Sequence, residues 1–385
     1  AAARAAGGPV TVINATGVIL HTGLGRAPLP ERAVEAIVRA ARGYSDLEID
    51  LATGGRGRRS ARAESLVAAL TGAEAALVVN NGAAALLLAL AALARGKQVL
   101  VSRGELVEIG GGFRIPDILA ASGARLVEVG TTNRTRVADF RDAWTERTAL
   151  VLKVHPSNYR VVGFAESPTA AQLATLARGK GVPFVHDLGS GLLEDGPVAD
   201  EPSARAALDD GADLALFSGD KLLGGAQAGI AIGRADLVER MRRHPIARAV
   251  RVDKLQAAGL EAALVAHATG ARDELPVWRM LREPVAEVRR RARALAELLP
   301  GTEVVASDAS VGGGSLPGSA IPSAAVAIAT RSPDALATRL RVGRPAVVAR
   351  TDDGRVLLDL RTVPDGSLDA LARAVRRALE GSGDG

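Results

Sequence analysis

The amino-acid sequence predicts an α/β fold with a seven-stranded, mixed but mostly parallel sheet. Seven short, apolar and β-leaning runs recur between Ala75 and Gly233, and most are separated by stretches with helical patterning. Continuous apolar strands that alternate with helices are typical of a sheet covered on both faces. Only about ten residues join the last two runs, too few for a helical crossover, so the seventh strand is predicted to be antiparallel. The predicted strands are residues 75–79, 99–102, 126–129, 149–154, 183–188, 214–218 and 229–233.

The pattern changes after Arg234. Charge-laced helical segments come first, then short strands near residues 303–306, 324–329, 346–350 and 355–360, and the last helix spans residues 367–379. This order predicts a smaller α+β domain, interrupted by a glycine-rich loop over residues 312–318. We therefore predict an N-terminal segment over residues 1–32, a large ligand-binding α/β domain over 33–250 and a small C-terminal α+β domain over 251–385.

Composition excludes several classes of protein. The 385 residues are 48% hydrophobic and 24% charged, as in an ordinary folded protein. No cysteine is present, which removes disulfides, thiolate zinc sites and cysteine nucleophiles, and five scattered histidines predict no metal site. Few aromatic residues argue against stacking platforms for single-stranded nucleic acid. The longest apolar run, residues 83–94, is too short to cross a bilayer, so we expect a cytoplasmic protein.

The charge balance is less informative. The formal net charge is +5, and only five of the 48 basic residues are lysines. This balance permits a polyanionic partner, although a solvated, arginine-rich surface explains the charge equally simply. The sequence starts at Ala1 without an initiator methionine, so we expect the chain to be trimmed.

Ligands of open α/β sheets bind at the carboxyl ends of the strands. Asn80, Asn81, Gly82 and Ala83 follow the first predicted strand and open a long apolar helix. Backbone N–H groups at a helix start, beside small residues, suit a phosphate group, although the same residues also fit a plain cap and turn. The glycine spacing is neither that of a dinucleotide fingerprint nor that of a P-loop.

A lysine and a carboxylate follow two later strands that should be neighbours. Asp187 ends the fifth predicted strand, and Lys221 follows the sixth, three residues after Ser218. A lysine for a Schiff base, a carboxylate that keeps a ring nitrogen protonated and a phosphate cradle are the requirements of pyridoxal 5'-phosphate. A turn cap and a surface lysine are the alternatives; with so few lysines, Lys221 is favoured and Lys254 is the reserve. His186 fits a core position equally well.

Six motifs occur in order along the chain. They are residues 13–22 (INATGVILHT), 24–28 (LGRAP), 102–110 (SRGELVEIG), 129–135 (VGTTNRT), 157–160 (SNYR) and 218–225 (SGDKLLGG). Together they resemble the bacterial selenocysteine synthases, or L-seryl-tRNA(Sec) selenium transferases, from Val12 to the end of the chain. Several long motifs in order are far more specific than any one of them.

The chain departs from the family pattern at a few places. Gly23 and Gly82 stand where many members have asparagine, and residues 60–62 replace a histidine-containing stretch. The family usually carries a further N-terminal helical domain implicated in tRNA binding, and we expect that domain to be missing here. We expect that difference to affect tRNA selection rather than the chemistry.

The resemblance implies a fold-type-I pyridoxal phosphate transferase that replaces the hydroxyl of seryl-tRNA(Sec) with selenium from selenophosphate. It implies that Lys221 forms the aldimine and removes the Cα proton, which leads to an aminoacrylyl intermediate. It also implies that Asp187 keeps the pyridine nitrogen protonated, and that Asp220 and Asn158 orient the cofactor or the substrate.

The resemblance also assigns the remaining site residues. Asn81, Gly82, Ala83 and Ser218 would bind the cofactor phosphate, and Arg103 and Glu105 would cover the cofactor ring. Arg26, Arg248 and Arg251 would receive selenophosphate, because a forked arginine cluster suits a compact oxyanion. Arg248 and Arg251 share one face if that stretch is helical, although an arginine-rich chain also forms chance clusters.

Two other functions stay open at this point. One is a related eliminase or ammonia-lyase that acts on a small amino acid or an amino-sugar acid phosphate and shares the same site residues. The other is a non-catalytic tRNA-binding relative, which the presence of Lys221, Asp187 and Ser218 disfavours. The resemblance implies at least a homodimer and a decameric ring of dimers, and residues 131–133 are candidates for those contacts. The short apolar run predicts no membrane association.

Overall fold

The computed structural model describes residues 8–109, 112–196, 198, 201–312 and 320–380. The chain divides into two compact units. The larger unit is Ala27–Arg279, and the smaller unit combines the described residues before it with those from Met280 onward. The predicted loop over residues 312–318 lies outside the described residues apart from Gly312. The predicted domain boundaries, after residues 32 and 250, stay a prediction. The larger unit extends past residue 250 because the helix Lys254–Ala268 packs against the helix Glu31–Arg42.

Fourteen strands occur in the described parts of the chain. In order they are β1 (Val12–Ala15), β2 (Ala75–Val79), β3 (Gln98–Ser102), β4 (Glu108–Ile109), β5 (Phe113–Arg114), β6 (Arg125–Val129), β7 (Thr148–Val154), β8 (Phe184–Gly189), β9 (Leu214–Ser218), β10 (Gly229–Gly233), β11 (Glu303–Ala309), β12 (Ile321–Ala329), β13 (Ala346–Asp352) and β14 (Arg355–Asp359).

The α-helices number fourteen over the same described ranges. In order they are α1 (Glu31–Arg42), α2 (Ala61–Thr71), α3 (Gly82–Ala94), α4 (Ile115–Ser122), α5 (Val137–Asp142), α6 (Ala170–Gly179), α7 (Ala204–Asp209), α8 (Ala235–Arg243), α9 (Pro245–Ala249), α10 (Lys254–Ala268), α11 (Pro276–Arg282), α12 (Val285–Glu297), α13 (Pro333–Val342) and α14 (Leu368–Glu380). Within the described part of the chain, no helix has the length and apolar character needed to span a membrane.

The larger unit is built on a seven-stranded sheet in the order β2-β10-β9-β8-β7-β3-β6. The pairs from β9 to β6 are parallel, whereas β10 is antiparallel to both of its neighbours. All seven strands were predicted, and the antiparallel direction of β10 is confirmed. The short connection between β9 and β10 leaves no room for a crossover helix, which is the reason for the reversal.

Helix α3 lies in the core of this unit. Asn81 caps its N-terminus by accepting a hydrogen bond from the Ala84 N–H at 2.9 Å. The helix is apolar on almost every side, and Leu86 and Leu90 are each 1% exposed. A helix that is apolar all round is stable only when it is covered on all sides. It packs with α4 and α8 against the sheet, which fixes its N-terminus at the carboxyl end of β2.

The smaller unit contains a five-stranded sheet in the order β1-β13-β14-β12-β11. The four C-terminal strands match the predicted α+β region, whereas β1 was not predicted as a strand. Its four residues pair in parallel with β13, more than 300 residues later in the sequence. Such a short strand depends on this long-range pairing, and no local sequence pattern predicts it. Gly17, in the first family motif, has a φ of 77°, and a Cβ there would lie 2.7 Å from the buried Asp359 carboxylate.

Candidate active site

Lys221 and Asp187 occupy neighbouring positions at the carboxyl edge of the larger sheet. Asp187 lies in β8, whose partner β9 ends three residues before Lys221. The Lys221 side chain is buried, with the residue 4% exposed. A Cβ at Gly189 would lie 3.6 Å from Lys221 Nζ, so the amine reaches the end of β8, two residues from the carboxylate. The fold therefore brings this lysine and this carboxylate into one pocket.

The electrostatics of Asp187 depend on that pocket. Burial raises the pKa of Asp187 from 3.8 to about 6. The charge of Lys221, a hydrogen bond from the Gly189 backbone and the charge of His155 act in the opposite direction. The carboxyl group is therefore mostly ionised at neutral pH and becomes protonated as the pH falls through about 6, and any further cation beside it favours the carboxylate.

The N-terminus of α3 lies beside the end of β9. A Cβ at Gly82 would lie 2.6 Å from the Ser218 hydroxyl oxygen, so glycine allows that hydroxyl to approach the first turn of the helix. The first N–H groups of a helix have no partner within the helix and favour an anion. Asn80, just before this turn, has a buried side-chain oxygen with no hydrogen-bond partner among the described residues. The turn and the hydroxyl together offer hydrogen-bond donors that suit a phosphate group, and they are called the phosphate cradle below.

The loop that carries Lys221 is held on several sides. The Leu222 N–H donates to the Ser190 carbonyl at 2.8 Å, and the Trp278 indole N–H donates to the Leu222 carbonyl at 2.8 Å. A Cβ at Gly191 would lie 2.3 Å from the Ser218 carbonyl, so the two loops pack backbone against backbone. Asp220, 7% exposed, is buried in the same loop. The lysine is therefore presented by a fixed backbone.

Comparisons with known proteins agree with this geometry. Residues 12–364 match the family model described as SelA, L-seryl-tRNA selenium transferase. The chain belongs to this family. Curated members named L-seryl-tRNA(Sec) selenium transferase include that of Hyphomonas neptunium, which is 49% identical, and that of Moorella thermoacetica, which is 50% identical. Each alignment covers 96% of this chain and 82% of the relative. The resemblance inferred from the motifs is thereby confirmed.

Solved structures support the fold of this family member. A structure of D-glucosaminate-6-phosphate ammonia-lyase has a TM-score of 0.71 at 22% identity, over 98% of this chain and 97% of that chain. A serine palmitoyltransferase from Sphingomonas wittichii has a TM-score of 0.51 at 16% identity, over 97% and 88%. At these identities the likeness concerns the fold, and it confirms the predicted fold-type-I architecture.

Arg103 and Glu105, the two residues predicted to cover the cofactor ring, make contacts with other parts of the larger unit. Glu105 is buried, and its carboxylate accepts hydrogen bonds from Lys153 Nζ at 2.7 Å and from the Val154 N–H at 3.0 Å. Arg103 is exposed and pairs with Glu128 at 2.9 Å. The Glu105 contacts tie the turn after β3 to the end of β7, and the Arg103 pair ties the same turn to β6. A role of Arg103 and Glu105 over the cofactor stays a prediction.

The predicted orienting residue Asn158 lies on the surface. Its side-chain N–H donates to the Glu108 carbonyl at 2.6 Å, which ties the loop after β7 to β4. Ser157, beside it, is 2% exposed and lies close to the Gly189 and Lys221 pocket. The sequence analysis did not single out Ser157, although its motif points to the same strand end.

The three predicted selenophosphate arginines are not on one helical face. Helix α9 ends at Ala249, so Arg248 is helical and exposed while Arg251 lies beyond the helix. Arg251 Nη1 lies 3.7 Å from a Glu48 carboxylate oxygen. Arg26 belongs to the smaller unit, where it has a φ of 62°. The expectation of a shared helical face is wrong for Arg248 and Arg251 because the chain turns at Val250.

A further buried group was missed from the sequence. His155 Nε2 lies 3.5 Å from a carboxylate oxygen of Glu201, whose side chain is fully buried. The backbone N–H of His155 also donates to the backbone carbonyl of Asp187 at 2.9 Å. His186 is buried on the strand position next to Asp187, and burial lowers its pKa to about 3, so it is neutral. No short motif connects Glu201 to His155, since the two are brought together by the fold.

A cavity of about 420 Å³ lies at the same edge of the sheet, near the ends of β3 and β7. Glu105, Lys153 and His155 line it, together with Tyr159 and Glu166. The wall thus combines both signs of charge with an aromatic ring. Among the described residues, no group of three or more acidic or histidine side chains converges as a metal site would require.

Proposed function

We propose that this chain converts L-seryl-tRNA(Sec) to L-selenocysteinyl-tRNA(Sec), with pyridoxal 5'-phosphate as cofactor and selenophosphate as selenium donor. Membership of the L-seryl-tRNA selenium transferase family is the observation that carries the proposal. The site geometry is consistent with it, because the chain retains a buried lysine, a carboxylate and an anion cradle in one unit.

The residues present fit the cofactor. The first N–H groups of α3 and the adjacent Ser218 hydroxyl suit a phosphate. Asp187 would pair with the ring nitrogen, and Lys221 would hold the aldehyde carbon covalently. When bound, the cofactor supplies an electron sink for the carbanion formed at the amino acid Cα.

Lys221 is proposed as the base at the seryl Cα. Its Nζ would accept the Cα proton of the seryl group and would return a proton at the end of the reaction. Burial in a fixed loop keeps this amine at one place and away from bulk water. Asp187 meanwhile holds the proton on the ring nitrogen, which requires its carboxylate form.

The other predicted residues have supporting roles in this proposal. Asp220 and Asn158 orient the cofactor or the substrate, and Arg103 and Glu105 position the turn beside the ring. Net replacement of the seryl hydroxyl by selenium releases phosphate from selenophosphate. Arg248 and Arg251 are proposed to bind that phosphate group through charge-assisted hydrogen bonds. A role of Arg26 in binding selenophosphate stays a separate prediction.

Assembly and location complete the proposal. The larger unit exposes apolar side chains at Tyr44, Leu51, Val162 and Phe164, each more than 70% exposed. Contiguous exposed apolar patches are typical of interfaces between subunits, and we propose that these side chains contribute to one. We propose that the chain forms at least a homodimer, in line with a decameric ring of dimers, and that it acts in the cytoplasm.

The decisive experiment is a transfer assay with the purified chain. Seryl-tRNA(Sec) and selenophosphate should give selenocysteinyl-tRNA(Sec), detected after hydrolysis of the aminoacyl ester. Free serine and D-glucosaminate 6-phosphate serve as competing substrates. Ammonia release from the sugar acid with no selenium transfer would replace the proposal with an ammonia-lyase, and a colourless protein that retains tRNA would indicate a binding protein.

A further inference from the structure

Two buried aromatic side chains contact the loop that carries Lys221. The Trp278 indole N–H donates to the Leu222 carbonyl at 2.8 Å, and His267 Nε2 lies 2.9 Å from the Leu223 carbonyl oxygen. His267 is in the last turn of α10, and Trp278 is in α11. The two carbonyls belong to the two residues that follow the lysine, so side chains from outside the loop hold both of them. His267 and Trp278 are called the aromatic pair below.

The hydrogen-bond partner of His267 assigns its proton. A carbonyl oxygen only accepts hydrogen bonds, so Nε2 carries the ring hydrogen. Burial lowers the pKa of His267, with the bond to the Leu223 carbonyl acting in the opposite direction, so the ring is neutral. His267 is 5% exposed and Trp278 is 2% exposed. Both donors therefore act with little competition from bulk water.

The aromatic pair also reaches the segment that follows β8. The two ring centroids lie 5.7 Å apart at an interplanar angle of 78°, which is an edge-to-face contact. The Arg272 guanidinium lies 5.5 Å from the Trp278 ring centroid and pairs with Glu194. A Cβ at Gly196 would lie 3.3 Å from Trp278 Cη2. The Trp278 ring thus contacts both the lysine loop and the segment that follows the strand of Asp187.

The turn after Lys221 depends on these donors. The Gly224 N–H donates to the Lys221 carbonyl at 2.9 Å, and Gly224 has a φ of 75°, as a tight turn requires. Loss of either donor of the aromatic pair would leave a buried carbonyl oxygen unsatisfied, which is unfavourable. The turn can relieve this only by rotating the carbonyl toward another donor or water, and that rotation moves the backbone beside Lys221.

We propose that His267 and Trp278 are positioning residues, which fix the direction from which Lys221 Nζ reaches the cofactor aldehyde by holding the two carbonyls after the lysine. Capture of the cofactor forms a C=N bond between Nζ and the aldehyde carbon, and the aldehyde oxygen leaves as water. The inference rests on the proposed function only in requiring covalent capture of pyridoxal 5'-phosphate by Lys221, whatever the substrate is.

Capture of pyridoxal 5'-phosphate by the cofactor-free full chain tests the positioning role. Stopped-flow absorbance gives the capture rate, and borohydride reduction with peptide mapping identifies Lys221 as the labelled residue. Trp278→Phe and His267→Phe keep an aromatic ring and lose the donor, so each should capture the cofactor about three- to tenfold more slowly. His267→Gln keeps an N–H donor and should restore most of the rate.

Trp144→Phe is the matched control for the loss of an indole N–H. The Trp144 ring lies outside the lysine loop, with Lys180 Nζ 5.7 Å from its centroid, and the capture rate should be unchanged. Melting curves of the cofactor-free variants measure stability separately. Lower stability with an unchanged capture rate in Trp278→Phe and His267→Phe would mean a purely structural role and overturn the proposal. A rate in His267→Gln as slow as that in His267→Phe would also overturn it.

Arg272→Gln provides the test if the buried variants do not fold. The Arg272 side chain is 24% exposed, so its replacement disturbs the core less, yet it removes the cation beside the Trp278 ring. Capture should slow by about two- to threefold, because the ring that holds the Leu222 carbonyl is less firmly placed. An unchanged rate would contradict the positioning role.

The transfer assay separates this inference from the proposed function. In variants loaded with cofactor to the same extent, kcat should fall while the KM for seryl-tRNA(Sec) stays the same, because the aromatic pair contacts the lysine loop. A chain that shows the capture effects but transfers no selenium would contradict the proposed function and leave the positioning role standing. A natural chain that captures no pyridoxal 5'-phosphate would overturn both.

Discussion

Lys221 combines three properties at the scale of a single residue: burial, a fixed backbone and a carboxylate on the adjoining strand. Burying an amine is unfavourable unless neighbouring groups hydrogen-bond to it or balance its charge. Backbone hydrogen bonds close the loop that carries Lys221, and these bonds offset the free-energy cost of burying the amine. A covalent anchor for a cofactor accounts for this arrangement better than a structural role does.

Substitution of Lys221 by alanine should abolish both cofactor colour and turnover. The reason is that neither the covalent link nor the base at the seryl Cα remains, and we expect turnover to fall by about three orders of magnitude or more. The visible spectrum and the transfer assay measure the two effects. Lys254→Ala is the control and should keep both. A borohydride-reducible adduct at another lysine in Lys221→Ala would refute the assignment.

The raised pKa of Asp187 predicts an acid limb in the activity. Its carboxyl group titrates at about 6 in the cofactor-free chain, above the ordinary 3.8, so it is protonated below that pH and cannot hold a ring-nitrogen proton. Activity should therefore fall about tenfold per pH unit on the acid side. A bound cationic ring favours the carboxylate and moves the limb below pH 6.

A pH profile of kcat/KM measures this limb, and Asp187→Asn should remove it while activity stays low at every pH. Carbon NMR of labelled aspartate in the cofactor-free chain gives the titration of Asp187 directly. A titration near the ordinary aspartate value would contradict the role of burial.

Substitution of Arg248 and Arg251 should separate the loss of selenium transfer from any loss of cofactor binding. The double variant Arg248→Ala with Arg251→Ala should keep the visible spectrum, because neither residue contacts the Lys221 pocket in the described structure. It should lose selenium transfer by about tenfold or more, because the oxyanion loses charge-assisted partners. The KM for selenophosphate is the measurement, and loss of colour in this variant would count against the separation.

At the scale of elements, α3 and β9 position the phosphate cradle. Helix α3 begins where β2 ends, and Ser218 ends β9 against its first turn. A Cβ at position 82 would force the Ser218 hydroxyl to rotate away from this turn. The family difference noted at this position, where many members have asparagine, therefore coincides with a steric constraint in this chain.

Gly82→Ala should destabilise the chain, because its Cβ would lie 2.6 Å from the Ser218 hydroxyl oxygen. We expect a loss of about 1–3 kcal/mol in the free energy of unfolding, measured by denaturant titration. Adding Ser218→Ala should restore most of that stability without restoring cofactor affinity, since the hydroxyl is gone. Gly179→Ala, in open space at the end of α6, is the control. Additive losses in the double variant would disprove the clash.

At the scale of the whole molecule, the larger unit carries the buried Lys221 with Asp187 and several exposed apolar side chains. Their proposed partners are a cofactor and a second subunit. The smaller unit uses its buried charges for its own fold, as in Asp359, which accepts hydrogen bonds from Ser307 and Ser323.

Charged substitutions at the apolar surface should reduce the size of the assembly. Leu51→Asp with Phe164→Asp places two carboxylates at side chains that are 75% and 76% exposed. Light scattering should show a smaller species than the natural chain, because an interface core does not accommodate unpaired charge. Val342→Asp, on an exposed apolar residue of the smaller unit, is the control. An unchanged mass in the double variant would place the subunit contacts elsewhere.

The seven strands of the larger sheet were predictable from the sequence because each is a continuous apolar run that a covered sheet requires. Four site residues were predictable as neighbours because each lies at or just after the carboxyl end of a strand. They are Gly82, Asp187, Ser218 and Lys221. Strand β1 was not predictable, since its four residues depend on pairing with β13.

The sequence by itself determined the α/β architecture, the family and the residues at the strand ends, because these depend on local patterns and on short motifs. The tertiary structure alone decided that Glu201 lies against His155, that Glu105 binds Lys153, and that Arg59 and Arg251 share Glu48. Those pairs join segments separated by up to about two hundred residues, and only the order of the strands and the packing of the loops bring their charges together.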